Sequence, residues 1–209
     1  MGEPVSVLVR RALRVAGVAI VAGAFAGPGA PCAAAGLAES QQVSVYLGQH
    51  AQNRLVHILS RLSAGRRDSY LVSVGYGRPF HRTGGLRWEW EGQLVRHIGK
   101  QRHAELNAVL VVRWMRFPWD RWLDTRVAFG EGLSWASETP PLEPRGDPDG
   151  EEGSARLLNY LLLEVEGTPP RSPWSGFVRI HHRSGVFGLF DGVEGGSNFI
   201  GLGVRRYWP

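Results

Sequence analysis

The segment Leu86-Arg87-Trp88-Glu89-Trp90-Glu91-Gly92-Gln93-Leu94-Val95-Arg96-His97 decides the fold class, because its polar and apolar residues alternate. Successive side chains of a β-strand point to opposite faces. One face of this segment carries the apolar residues Leu86, Trp88, Trp90 and Leu94, and the other carries Arg87, Glu89, Glu91 and Gln93. Such strict alternation predicts a strand with one polar face and excludes a helix.

Seven further segments alternate in the same way, so the chain is predicted to be all-β with eight strands. The other strands are expected near residues 43–50, 69–77, 105–115, 125–135, 156–166, 176–184 and 198–208. If the strands run up and down in chain order, the gaps at 51–68, 98–104, 136–155 and 185–197 lie at one end of the strands. The gaps at 78–85, 116–124 and 167–175 then lie at the other end. Residues 138–153, rich in Pro, Gly and acidic residues, are the only segment whose composition favours disorder.

Eight strands fit a membrane barrel, a soluble sandwich or a lipocalin-like binder, and three features favour the barrel. The polar face carries charges that a dry core would reject, including Arg179 and Arg183. Tryptophans lie near predicted strand ends, as an aromatic girdle requires: Trp114, Trp119, Trp122, Trp135, Trp174 and Trp208. The chain also ends in Tyr207-Trp208, like outer-membrane barrels, although Pro209 follows. We therefore predict an eight-stranded antiparallel up-and-down transmembrane β-barrel, with the longer loops outside the cell.

Residues 1–35 have the layout of a secretory signal peptide, which leaves residues 36–209 as the barrel domain. Three arginines precede the apolar stretch 15–25, and Ala33-Ala34-Ala35 offers a cleavage site. A membrane anchor, or lipid attachment at Cys32, is the alternative. Cys32 is the only cysteine, so the domain has no disulfide. The net charge of +5 falls to +3 without Arg10, Arg11, Arg14 and Glu3, which does not indicate a nucleic-acid partner.

His182 and Ser184 occupy one face of the seventh predicted strand, together with Val178 and Ile180. A histidine beside a hydroxyl, with the carboxylate of Glu194 one loop away, provides the residue types of a serine hydrolase triad. This face would be turned to lipid at the outer end of the barrel. The ester that such a site meets therefore belongs to a lipid.

The region His181–Trp208 resembles the lipid A 3-O-deacylase (PagL) family, which is also described as acyloxyacyl-hydrolase-like outer-membrane proteins. The resemblance rests on the His-x-Ser motif late in the chain and on the downstream glutamate. It implies an outer-membrane enzyme that hydrolyses an ester-linked acyl chain of lipopolysaccharide. Ser184 would be the nucleophile, His182 the general base, and Glu194 the group that orients the imidazole. Asp191 is the competing acid.

The family commonly has Asn directly after the serine, where this chain has Gly185. The backbone N–H groups of Gly185 and Gly188 are the predicted oxyanion donors in its place. The same departure keeps open a non-catalytic barrel with a structural or lipopolysaccharide-binding role. A homodimer stays open as well. The expected partners are lipid A and outer-membrane lipid.

His181 has the opposite parity to His182, so it is predicted to lie in the polar interior with Arg179 and Arg183. The other histidines, at 50, 57, 81, 97 and 103, show no metal-ligand spacing along the chain. The sequence therefore predicts neither a metal site nor an organic cofactor.

Overall fold

The computed structural model describes residues 40–53, 55–61, 65–143 and 153–209, so the predicted signal peptide and Cys32 lie outside the described residues. It contains eight strands and one short helix in these parts of the chain. They are β1 (Gln41–Ala51), α1 (Leu55–Arg61), β2 (Arg66–Thr83), β3 (Leu86–Gly99), β4 (Ala104–Trp114), β5 (Asp124–Ala136), β6 (Leu157–Thr168), β7 (Trp174–Ser184) and β8 (Gly196–Trp208).

Each strand pairs antiparallel with the next along the chain, and β1 pairs with β8 to close the barrel. The closing register runs from Gln41 opposite Trp208 to Ala51 opposite Asn198. Closure satisfies the backbone groups that an open edge would leave unpaired. The predicted up-and-down barrel is confirmed, and the sandwich is excluded.

The outer wall of the barrel is apolar and the interior is charged. Leu94 and Leu202 on the outside are 66% and 67% exposed, whereas Arg87 and Glu89 inside are fully buried. A lipocalin-like binder has the reverse arrangement, with an apolar interior, so it is excluded as well. An outward apolar wall around a polar interior is the architecture of a bacterial outer-membrane barrel.

The interior is filled by arginine–glutamate pairs that cross between strands. Arg113 on β4 lies 2.7 Å from Glu89, 2.6 Å from Glu164 and 2.8 Å from Glu166. Arg205 on β8 reaches the same two β6 glutamates. These side chains satisfy one another in a site without bulk water. A barrel of this size with a filled interior leaves no room for a pore.

The two ends of the barrel differ. The long-loop end carries the connections at residues 52–65, 100–103, 137–156 and 185–195. The short-turn end carries those at residues 84–85, 115–123 and 169–173. Most tryptophans lie near the short-turn end, including Trp114, Trp174 and Trp208 at strand termini, and Trp135 lies near the long-loop end. Among the described residues, no helix is long and apolar enough to span a membrane.

Three predicted connections differ from the structure. The gap expected at 78–85 is wrong, because β2 continues to Thr83 through a register shift near Pro79 and turns at Gly84-Gly85. The gap at 51–68 contains α1. The segment expected to favour disorder is described up to Glu143, which is fully buried, while residues 144–152 lie outside the described part.

Candidate active site

The predicted site residues lie on the outer wall at the long-loop end, where β6, β7 and β8 run side by side. Ser184 on β7 lies opposite Asn159 on β6 and Gly196 on β8. Two residues further into the strand, His182 lies between Leu161 and Asn198. His182 and Ser184 are both partly exposed. The strand parity predicted for them is confirmed, because the intervening Arg183 is fully buried inside.

The imidazole of His182 is held by an amide. Its Nδ1 lies 2.7 Å from Oδ1 of Asn198. The Nδ2 of Asn198 donates to the backbone oxygen of Asn53 at 2.9 Å, which fixes the orientation of the amide. Because Oδ1 can only accept, Nδ1 of His182 carries the hydrogen and the lone pair is on Nε2. Nε2 with a lone pair is the form that a general base requires.

The predicted orienting acid, Glu194, is exposed in the loop between β7 and β8, and so is its competitor Asp191. The side chain that meets Nδ1 of His182 is Asn198, which the sequence analysis did not assign to the site. The role of Glu194 stays a prediction. Asn198 begins the eighth predicted strand, and only its pairing opposite His182 gives it a possible part in the site.

The predicted oxyanion donors are engaged inside the β7–β8 loop. The N–H of Gly185 donates to the oxygen of Gly195 at 3.3 Å, and the N–H of Gly188 donates to the oxygen of Val193 at 3.1 Å. A Cβ atom at position 185 would lie 1.8 Å from the oxygen of Val193. This close approach explains why the position holds glycine, since asparagine would require a different loop. The oxyanion role of both glycines stays a prediction. It requires their N–H groups to give up these two backbone hydrogen bonds and donate to the substrate instead.

The loop itself has a strained backbone. Val186, Phe187 and Asp191 all have positive φ, at 50°, 55° and 54°. A β-branched residue is rare in this region, because its side chain crowds the backbone. Such outliers persist where surrounding contacts hold them. Phe187 and Leu189 are 98% and 77% exposed in the same loop, so apolar side chains flank the end of β7 that carries Ser184.

Asn159 is a second side chain near the predicted site that the sequence patterns did not indicate. It faces outward on β6, because its neighbours Leu158 and Tyr160 are buried inside. It lies directly opposite Ser184 and is only 8% exposed. Directly opposite residues of an antiparallel pair have Cβ atoms about 5 Å apart. The sequence could have indicated this position, because Asn159 is the one amide on an otherwise leucine-rich face of β6.

Gly196 packs closely against β7 on the other side of Ser184. A Cβ atom at this position would lie 3.0 Å from Cβ of Ser184 and 2.4 Å from the oxygen of Arg183, which explains why the position holds glycine. Ser184 therefore has an amide side chain opposite it on β6 and no side chain opposite it on β8.

The interior behind this wall holds a histidine cluster. His181 is buried, as predicted, and its Nε2 lies 3.1 Å from Oε2 of Glu105 on β4. His97 and His103 approach Oε1 of the same carboxylate at 2.8 Å and 3.2 Å. Ligand atoms of His97, Glu105 and His181 all lie within 4.8 Å of one another. Spacing along the chain could not indicate this cluster, because its residues come from three strands.

Glu143 closes the interior above this cluster. Its carboxylate pairs with Arg183 and accepts hydrogen bonds from Ser154 at 2.5 Å and Ser197 at 3.3 Å. Burial raises the pKa of Glu143, and Arg183 and the Ser154 hydroxyl offset this only in part. The loop after β5 is thereby joined to β7 and β8 on the inner side of the wall that carries His182 and Ser184.

The solved structures that are similar to this chain include the following two. The outer membrane enzyme PagL matches with a TM-score of 0.55 and 14% sequence identity, over 79% of this chain and 98% of that chain. Neisserial surface protein A (NspA) matches with a TM-score of 0.42 and 9% identity, over 81% of this chain and 96% of that chain. No protein-family model and no curated protein matches the sequence. At this identity the likeness to PagL establishes the fold alone.

Proposed function

We propose that this barrel is a serine esterase that removes an ester-linked acyl chain from lipid A, at the 3-O position by the resemblance to the PagL family. The contact between His182 Nδ1 and Asn198 Oδ1 carries the proposal, because it leaves a basic nitrogen on the strand face that also bears Ser184. The likeness of the fold to an outer membrane enzyme supports it.

The chemistry begins with the hydroxyl of Ser184. His182 Nε2 takes the hydroxyl proton while Oγ bonds to the ester carbonyl carbon and the carbonyl oxygen becomes an oxyanion. The intermediate then expels the sugar alkoxide, which receives the proton from His182 and leaves an acyl-serine. Water, deprotonated by the same nitrogen, attacks the acyl-serine and releases the fatty acid. Ser184 recovers its proton from His182, so the cycle is balanced.

Asn159 and Asn198 would support these steps. The amide N–H of Asn159, opposite Ser184, is the donor placed to stabilise the oxyanion. Asn198 acts as a positioning residue, because its oxygen holds Nδ1–H and fixes the imidazole tautomer. An amide does this without a negative charge, as in the Cys-His-Asn variants of the triad. Glu194 is the alternative third member of the triad. To act in that role, its exposed carboxylate would have to reach the imidazole of His182.

The location favours a lipid substrate. His182 and Ser184 face the surrounding lipid on a wall that continues into the apolar residues Leu161 and Ile180. The long-loop end is the extracellular end in barrels of this type, so the facing leaflet contains lipopolysaccharide. Arg156 is exposed directly before the start of β6. Its guanidinium offers a positive charge to a phosphate of lipid A.

The test is mass spectrometry of lipid A from cells that express the wild-type chain or Ser184→Ala, with both proteins folded in the outer membrane. We expect the loss of one hydroxyacyl mass with the wild type only. Identical spectra would overturn the proposal.

The second candidate is a non-catalytic barrel that binds lipopolysaccharide. This candidate is favoured because the N–H groups of Gly185 and Gly188 already donate hydrogen bonds within their own loop. A lipophilic fluorophosphonate distinguishes the two functions, because it labels an activated serine. Labelling of the wild type but not of Ser184→Ala or His182→Ala supports the esterase, and absence of labelling supports the binder.

A further inference from the structure

We propose that the buried cluster at the long-loop end of the interior binds a divalent transition-metal ion of the Zn²⁺ class. The protein ligands are Nε2 of His97, Nε2 of His181 and the carboxylate of Glu105. This site is separate from the esterase proposal, since its ligands lie inside the barrel and His182 and Ser184 lie outside.

The geometry of the three ligand residues fits such an ion. Zn²⁺ binds His nitrogen and Glu oxygen at about 2.0–2.2 Å, so tetrahedral ligand atoms lie about 3.3 Å apart. Here Nε2 of His97 is 2.8 Å from Glu105 Oε1, and Nε2 of His181 is 3.1 Å from Oε2. The set of three lies within 4.8 Å, so small side-chain shifts bring all of them to one ion.

The donor chemistry selects the class of ion. Two imidazoles and one carboxylate are the ligand set of many zinc sites, whereas Mg²⁺ and Ca²⁺ prefer oxygen ligands alone. His103 stacks on the ring of His97 at 4.2 Å and shares Oε1 of Glu105. The fourth position therefore belongs to His103 or to water.

Charge balance favours an added cation. The guanidinium of Arg183 pairs with the buried carboxylates of both Glu105 and Glu143. With neutral histidines and an ionised Glu143, these three groups carry a net charge of −1. An unbalanced buried charge is costly. A metal ion supplies the positive charge and uses the imidazoles that surround Glu105. A proton on Glu143 or on one histidine is the competing way to balance the charge.

Gln101 supports His97 on the side away from Glu105. Its Nε2 lies 3.0 Å from Nδ1 of His97. In the metal-bound form the amide turns, so that its oxygen accepts Nδ1–H and the lone pair of Nε2 is left for the ion. Metal-bound histidines almost always have such a partner on the other ring nitrogen.

The test is a Co²⁺ titration of the protein purified from the outer membrane in detergent and stripped with a chelator. We expect one equivalent of Co²⁺ to produce the visible absorption of tetrahedral Co²⁺, and Zn²⁺ to abolish it. Retained heat-dependent gel mobility establishes that each sample is a folded barrel. A folded wild type without these bands overturns the proposal, and the proton then balances the charge.

The variants locate the site. His97→Gln and His181→Gln should each weaken Co²⁺ binding about 100-fold, and Gln101→Ala about 10-fold. His81→Gln, at an exposed position on β2, is the matched control and should bind as the wild type. If one ligand variant does not fold, the other and Gln101→Ala decide. Bands that survive in all folded ligand-site variants overturn the assignment. Ser184→Ala should bind Co²⁺ normally, which keeps this result distinct from the fate of the esterase proposal.

Discussion

His181 and His182 are consecutive residues whose imidazoles lie on opposite sides of the barrel wall. The ring of His181 meets Glu105 in the buried interior at 3.1 Å, and the ring of His182 meets Asn198 on the lipid-facing side at 2.7 Å. The alternation of strand β7 separates them, since neighbouring residues point to opposite faces. One dipeptide thus contributes one imidazole to each of the two proposed sites.

Asn198→Ala should lower kcat for ester hydrolysis about 100-fold while KM changes little, because the imidazole loses its fixed tautomer and not a substrate contact. The measurement is the steady-state kinetics of a lipid or chromogenic ester in detergent, together with the pH–rate profile.

Glu194→Gln is the matched control for Asn198→Ala. It should leave both constants close to the wild type, since the Glu194 side chain is exposed and the contact to Nδ1 is made by Asn198. A loss as large as that of His182→Ala would instead assign the orienting role to Glu194.

Asn159→Ala should reduce kcat about 100-fold to 1000-fold, because the oxyanion loses its donor on β6. Fluorophosphonate labelling should slow in parallel. Leu163→Ala, on the same outward face of β6 but away from Ser184, is the control and should retain activity. If Asn159→Ala hydrolyses the ester at the wild-type rate, the oxyanion is stabilised elsewhere, and the Gly185 and Gly188 N–H groups become the donors to test.

Gly185→Ala should disturb the β7–β8 loop and reduce ester hydrolysis, since the added Cβ atom would lie 1.8 Å from the oxygen of Val193. Gly176→Ala, on strand β7, is the control, because a Cβ atom there meets nothing within 4 Å. Both proteins should show heat-dependent gel mobility. Equal activity in the two variants would mean that the loop does not influence the site.

Glu143 should make the stability of the barrel depend on pH. Burial raises the pKa of Glu143 in the folded protein, so folding favours its protonated form. The stabilising contribution is complete below the unfolded pKa, about 4.3, and is lost as the pH rises through the higher folded value. Glu143→Gln mimics the protonated acid and removes this loss.

The measurement for Glu143 is the free energy of unfolding in urea, compared between wild type and Glu143→Gln across this pH range. We expect the two to agree at low pH and the wild type to fall below the variant as the pH rises. If the wild type gains stability relative to the variant, the attraction to Arg183 outweighs the cost of burial.

The alternating pattern of the sequence was enough to predict the eight strands, the apolar outer wall, the charged interior and the sides on which His181, His182 and Ser184 lie. Alternation is a local property with a period of two, so each segment reports its own two faces. Strand ends were less well determined, as β2 shows by continuing to Thr83, because pairing with β3 extends the strand beyond its alternating part.

Which side chains meet follows from the tertiary structure alone. Asn198 reaches His182, and Asn159 lies opposite Ser184, because the register of β6, β7 and β8 aligns them. His97, Glu105 and His181 converge because the distant strand β7 faces the same part of the interior as the neighbouring strands β3 and β4. Register and closure depend on all eight strands together, so no local pattern could report these contacts.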